Sequence, residues 1–112
     1  MCGITGIARF NQRQLAEERV RVMNRCIAHR GPDAEGLWSN DLCVLGHRRL
    51  SIIDTSAQGN QPFHFDQDRL VVVFNGEIYN YLELKNELAA DFSFQTQTDT
   101  EVIIAAYLKW GT

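Results

Sequence analysis

The sequence predicts an α+β domain with helices layered on antiparallel sheet. Short strand-like apolar runs recur along the chain, amphipathic stretches with helical spacing interrupt them, and the two kinds do not alternate in a regular β-α-β rhythm. The 112 residues are 45% hydrophobic and 22% charged with two prolines, the composition of an ordinary globular chain of at most one domain.

Residues Cys2 to Phe10 place Ile4, Ala8 and Phe10 at even positions, a period of two that predicts a strand at the chain start. After the polar turn Asn11 to Gln14, apolar residues at Ala16, Val20, Met23 and Ile27 predict a helix ending near His29, where Arg30-Gly31-Pro32-Asp33 stops it and a loop follows. Cys26 falls on the apolar side of that helix and is expected to pack as a small hydrophobe. Leu42 to Leu45 and Leu50 to Ile53 read as strands separated by Gly46 to Arg49, and Leu70 to Phe74 as a β-branched strand ending in an Asn75-Gly76 hairpin signal. Asn80-x-x-Glu83 and Thr98-x-x-Glu101 have the form of capping boxes. The first opens a helix to about Ala90, the second a helix through Val102 and Trp110 that stops at Gly111, and Phe92-Ser93-Phe94 alternates between them.

Several function classes fall away. A net charge of −3 provides no basic field for nucleic acid or anionic lipid, so neither is an expected partner. The longest apolar run, Val102 to Leu108, is far below the ~20 residues a spanning helix needs. The N-terminus lacks the layout of a secretory signal, and the expected compartment is the cytoplasm. Cys2, Cys26 and Cys43 are odd in number and form no C-x-x-C pair, which argues against a disulfide framework or a zinc site; no metal is expected.

Cys2 differs by position. Removal of Met1 leaves a thiol and an α-amine on one carbon, with pKa values of about 8.5 and about 7.7 to 8.0, so the amine can take the thiol proton near neutral pH. Position alone does not separate this reading from a cysteine that is merely the second codon. Asn75-Gly76 admits an oxyanion hole as well as a turn, with the Asn75 amide and the Gly76 N–H as donors. Arg49 and Asp99 read as a surface charge and an N-cap, or as receptors for the carboxylate and ammonium of a free amino acid. None of His29, His47 and His64 lies in a context that orients it as a partner for a cysteine.

Six motifs are then read together: Cys2-Gly3-Ile4, Arg30 to Asp33, His47 to Asp54, Gln61-Pro62, Asn75 to Asn80 and Thr98 to Glu101. In this order they resemble the glutaminase domain of glutamine-dependent asparagine synthetases, with Thr98 where that family more often has serine. The resemblance implies an N-terminal-nucleophile, class II glutamine amidotransferase with a four-layer αββα sandwich of antiparallel sheets, of which residues 1–112 form an incomplete N-terminal part. It implies Cys2 as nucleophile, Asn75 and Gly76 as oxyanion donors, and Arg49 and Asp99 as receptors for the carboxylate and ammonium of L-glutamine. Leu50, Ser51, Ile52, Ile53 and Glu77 would line the rest of the pocket, while Arg30 to Asp33 looks structural or gating. A C-terminal synthetase domain would be the partner, and ATP and Mg would belong to it; no cofactor is expected on this chain. An unfinished sheet leaves edges that favour association, a homodimer being one outcome. Two alternatives stay open: a truncated, non-catalytic α+β module, and the same glutaminase chemistry serving another acceptor.

Overall fold

The computed structural model describes residues 1–112 as an α+β fold with two small antiparallel sheets. In chain order the elements are β1 (Gly3–Ala8), α1 (Arg13–Cys26), β2 (Ala34–Ser39), β3 (Cys43–Arg49), β4 (Phe63–Phe65), β5 (Leu70–Val72), α2 (Tyr81–Leu88) and α3 (Thr100–Trp110), with a 3-10 turn at Ala57–Gly59. The first sheet has the order β1-β3-β2. Gly3 to Ala8 pair with Arg48 to Cys43, and Ala34 to Ser39 pair with Arg49 to Val44. β4 and β5 form the second sheet.

Helix α1 lies on the first sheet, burying Ala16 and Val20 against Val44, with Ile7, Phe10 and Leu37 around them. A buried polar group fixes its last turns: Asn24 accepts from the Thr5 hydroxyl at 2.6 Å and donates to the Gly36 carbonyl at 3.2 Å. This contact needs a bare backbone at position 46, where a Cβ would sit 2.3 Å from Thr5 Oγ1 and 2.6 Å from Asn24 Oδ1. Gly46 is therefore not a turn residue. The expected break at Gly46 to Arg49 is overturned, and β3 runs unbroken to Arg49 because the glycine admits the helix and does not bend the chain.

The expected strand at Leu50 to Ile53 is absent, because its backbone is occupied by side chains: the Leu50 amide donates to Cys2 Sγ and the Ser51 amide to Asp33 Oδ2 at 2.7 Å. The predicted loop after Asp33 contains β2, and β4 has no counterpart in the sequence reading. Asn75-Gly76 forms no hairpin. Neither residue takes the positive φ that a type I′ turn requires, and no strand follows. Of the turns that do join strands, Asp66 to Asp68 has φ of 52°, 52° and 64°; Asp68 there accepts from Trp38 Nε1 at 2.8 Å and bonds His64 Nδ1 at 2.6 Å. These bonds, Trp38 first and His64 second, hold the Asp68 carboxyl below the usual carboxylate range.

A second apolar cluster joins α2 and α3 through Leu88, Val102 and Ala105, flanked by Ile78, Leu84, Phe92 and Phe94. Phe92 to Phe94 is no strand, its rings packing there instead. Asn80 stands at the N-cap of α2 without a side-chain bond, so the first capping box does not form. The second is displaced. The Thr98 hydroxyl accepts from the Thr100 amide at 3.2 Å, but Glu101 turns back to accept from the amides of Gln95 and Thr96, each at 2.8 Å, and Asp99 takes the cap position. Cys26 is exposed, since the buried face of α1 runs through Ala16, Val20 and Asn24 and leaves it outside. No helix is long and apolar enough to cross a membrane.

Candidate active site

The ladder that pairs Gly3 with Arg48 sets Cys2 beside the end of β3. There the Leu50 amide donates to Cys2 Sγ at 3.3 Å, and the thiol reaches the Leu50 carbonyl at 3.5 Å. On its other side Cys2 is tied down by Arg30, whose Nε donates to the Cys2 carbonyl at 3.0 Å. The sulfur is thus located by backbone and sheet, with no histidine bonded to it. It lines a cavity of about 270 Å³, a small site beside the 300 to 1,000 Å³ usual for ligand pockets.

Three further segments converge on that cavity. Arg49, at the end of β3 and not between two strands as expected, is followed in the wall by Leu50, Ile52 and Ile53. The segment after β5 contributes Asn75, Gly76 and Glu77, and the start of α3 contributes Asp99. Ser51 lies outside this wall, its amide committed to Asp33. A Cβ on residue 76 would stand 2.6 Å from Phe74 Cζ, so a side chain there would have to displace that ring.

Arg49 is 7% exposed and its Nη1 donates to the Ser56 carbonyl at 2.6 Å and to Asn60 Oδ1 at 2.8 Å, while Nη2 donates to the Asp54 carbonyl. Nε has no acceptor within the chain, so the guanidinium keeps donor capacity beyond these three bonds. Asp99 is 6% exposed; its Oδ2 accepts from the Ile78 amide at 2.9 Å and its Oδ1 faces the Thr98 hydroxyl at 3.5 Å. Neither residue makes an ion pair within the chain. Nearby, the Ser56 hydroxyl and then its amide hold the Asp54 carboxyl below its ordinary range, with the Gln97 amide and Arg49 acting in the same direction.

Sequence reasoning gave no role to His47, which lies behind this wall, or to Gln61, which is part of it. His47 is fully buried; its Nε2 lies 3.1 Å from the Phe74 carbonyl and its Nδ1 has no partner. Burial pushes the imidazole below its usual range, the Phe74 bond pulling the other way and Arg49 reinforcing the drop. Because a carbonyl only accepts, the proton of the neutral ring sits on Nε2. Gln61 accepts from the Phe74 amide at 2.5 Å and donates to Thr100 Oγ1 at 3.2 Å. No signal of period or charge marks either residue in the sequence, since each acts on a backbone group brought near by folding. No group of three His, Cys, Asp or Glu side chains is placed to hold a metal ion.

A thiol, a guanidinium residue and a buried carboxylate residue lining one small cavity are chemically suited to a zwitterionic substrate presented to a cysteine. The chain belongs to the glutamine amidotransferase domain family, which matches residues 1–112. It is 45% identical over 113 residues to asparagine synthetase [glutamine-hydrolyzing] 1 of Bacillus subtilis, covering 96% of this chain and 17% of that protein. It is 40% identical over 114 residues to asparagine synthetase B [glutamine-hydrolyzing] of Escherichia coli, covering 99% and 20%. Amidase chry2 of Gibberella zeae is 42% identical over 124 residues, covering 99% and 18%. The chain thus spans about a fifth of the length of the curated relatives it matches.

Proposed function

We propose that this chain carries the glutaminase half-reaction, splitting L-glutamine into glutamate and ammonia through a γ-glutamyl thioester on Cys2. The observation that supports it most directly is the pair of buried, opposite and unpaired charges on the wall that holds the thiol. A buried charge is costly unless it is paired. An α-amino acid supplies both partners at once, its carboxylate to the Arg49 guanidinium and its ammonium to Asp99.

With those ends held, the side-chain amide extends toward Cys2. After Met1 is removed, the Cys2 amine takes the thiol proton as sulfur attacks the amide carbon. The oxygen, now negative, receives hydrogen bonds from the Asn75 amide group and the Gly76 N–H, a donor of this kind being worth about 2.7 to 4 kcal/mol. Collapse of the adduct breaks the C–N bond, the amine returns its proton to the departing nitrogen, and ammonia leaves. Water then adds to the thioester with the amine as base, the C–S bond breaks, and glutamate and the free thiol are restored.

The ammonia is proposed to feed an asparagine synthetase-type reaction in a synthetase domain of the same protein, a reading supported by the names and greater length of the relatives. On this reading residues 1–112 form the N-terminal part of the glutaminase domain and their two sheets belong to a four-layer αββα sandwich, in a cytoplasmic enzyme that can pair as a homodimer. The similarity to amidase chry2 favours a second reading for the acceptor alone: the same glutaminase step serving another amidation. Incubation with glutamine and measurement of glutamate tests the proposal. Cys2→Ala is expected to release none above background, and undiminished release would remove Cys2 as the nucleophile.

A further inference from the structure

The donors assigned to the oxyanion lie beyond the end of a strand. β5 stops at Val72, so the Phe74 peptide groups are outside the ladder, and Asn75 and Gly76 follow them directly. What holds this stretch is a pair of side chains. Gln61 accepts the Phe74 N–H at 2.5 Å, and His47 donates from Nε2 to the Phe74 carbonyl at 3.1 Å. His47 is on the central strand β3, between Ile4 of β1 and Gly36 of β2, and is fully buried. Gln61 also donates to Thr100, the residue after Asp99, and so links the donor segment to the start of α3.

We propose that His47 and Gln61 are positioning residues of the glutaminase reaction, clamping the Phe74 backbone from both sides so that Asn75 and Gly76 meet the oxyanion at hydrogen-bond distance. The inference rests on the glutaminase reading above. Its chemistry is specific: the clamp needs an N–H at the place of His47 Nε2 and an acceptor at the place of Gln61 Oε1. A glutamine side chain can put an amide nitrogen where Nε2 stands, whereas asparagine reaches only to the place of Nδ1. Nδ1 has no partner to lose, so the ring's one working group is Nε2.

The experiment compares His47→Asn with His47→Gln in the purified protein, reading kcat and KM for glutamine, inhibition by an aldehyde analogue of glutamine, and iodoacetamide labelling of the Cys2 peptide by mass. The aldehyde forms a hemithioacetal whose oxygen tests the donors, while labelling needs only the thiol. In His47→Asn kcat is expected to fall about tenfold to a hundredfold and the inhibition constant of the aldehyde to rise by a like factor, with KM and labelling within about twofold of wild type. His47→Gln is expected to recover most of both. Wild-type turnover in His47→Asn, no gain in His47→Gln, or a fall in kcat with unaltered aldehyde binding would overturn the proposal. If His47→Asn does not fold, Gln61→Glu against Gln61→Met makes the same comparison on the other side, since only Glu keeps the acceptor for the Phe74 amide. A wild-type protein that releases no glutamate would remove the glutaminase reading itself and the clamp with it, a result distinct from those above.

Discussion

Asp99→Asn isolates the charge proposed to receive the substrate ammonium. The replacement is nearly isosteric, and its carbonyl oxygen can keep the 2.9 Å bond from the Ile78 amide while the Thr98 hydroxyl turns to accept from the new NH2. The local fold is therefore expected to survive. What disappears is one charge-assisted hydrogen bond at a position 6% exposed. Hydrogen bonds to charged groups contribute about 1.5 to 3 kcal/mol, which at 1.36 kcal/mol per factor of ten corresponds to about a 10- to 150-fold loss in kcat/KM. Because the ammonium is remote from the reacting amide, the loss is expected in KM with kcat little changed. Glutamate release measured across glutamine concentrations gives the two constants, and thermal unfolding checks the fold. A control substrate sharpens the test: the analogue lacking the α-amine is expected to be a poor substrate for wild type and no worse than glutamine for the variant. An unchanged KM, or a variant that still prefers glutamine to that analogue, would refute the assignment of Asp99.

Three further outcomes are expected. His47 has a folded-state pKa below its ordinary 6.5, so the unfolded chain binds more protons as pH falls; the stability contributed by the neutral buried ring is complete above pH 6.5 and declines below it. Urea midpoints measured across that range are expected to drop on the acid side, and to drop less in His47→Gln. Arg49→Lys loses the planar fork that binds the Ser56, Asn60 and Asp54 oxygens. It is expected both to raise KM and to speed amide hydrogen exchange in residues 54 to 60; slow exchange at wild-type rate would contradict the structural half of that expectation. Leu88→Ala, at a fully buried position between α2 and α3, is expected to cost about 2 to 5 kcal/mol in chemical denaturation.

The α+β class was legible because Ala16, Val20 and Val102 to Ala105 reflect the periods of the faces they bury. Local pattern failed where a distant group decided the outcome. Gly46 looked like a turn because the helix pressed against it is invisible from neighbouring residues, and Leu50 to Ile53 looked like a strand although a thiol and a carboxylate occupy its amides. At the site, residues carrying an intrinsic charge or nucleophile could be singled out beforehand, and the cavity brings Cys2, Arg49, Asn75, Gly76 and Asp99 together. Arg30, His47 and Gln61 bond backbone atoms 28, 27 and 13 positions away, and such pairings leave no trace in spacing.

Arg49 spends three hydrogen bonds on its own protein and also lines the cavity. If Arg49 receives the substrate carboxylate as proposed, preference for that group and rigidity of a neighbouring loop are inherited together. On that proposal, evolution toward a neutral or cationic guest would have to rebuild that loop in the same stroke, and the choice of guest would be harder to drift than the choice of what is later done with the released nitrogen.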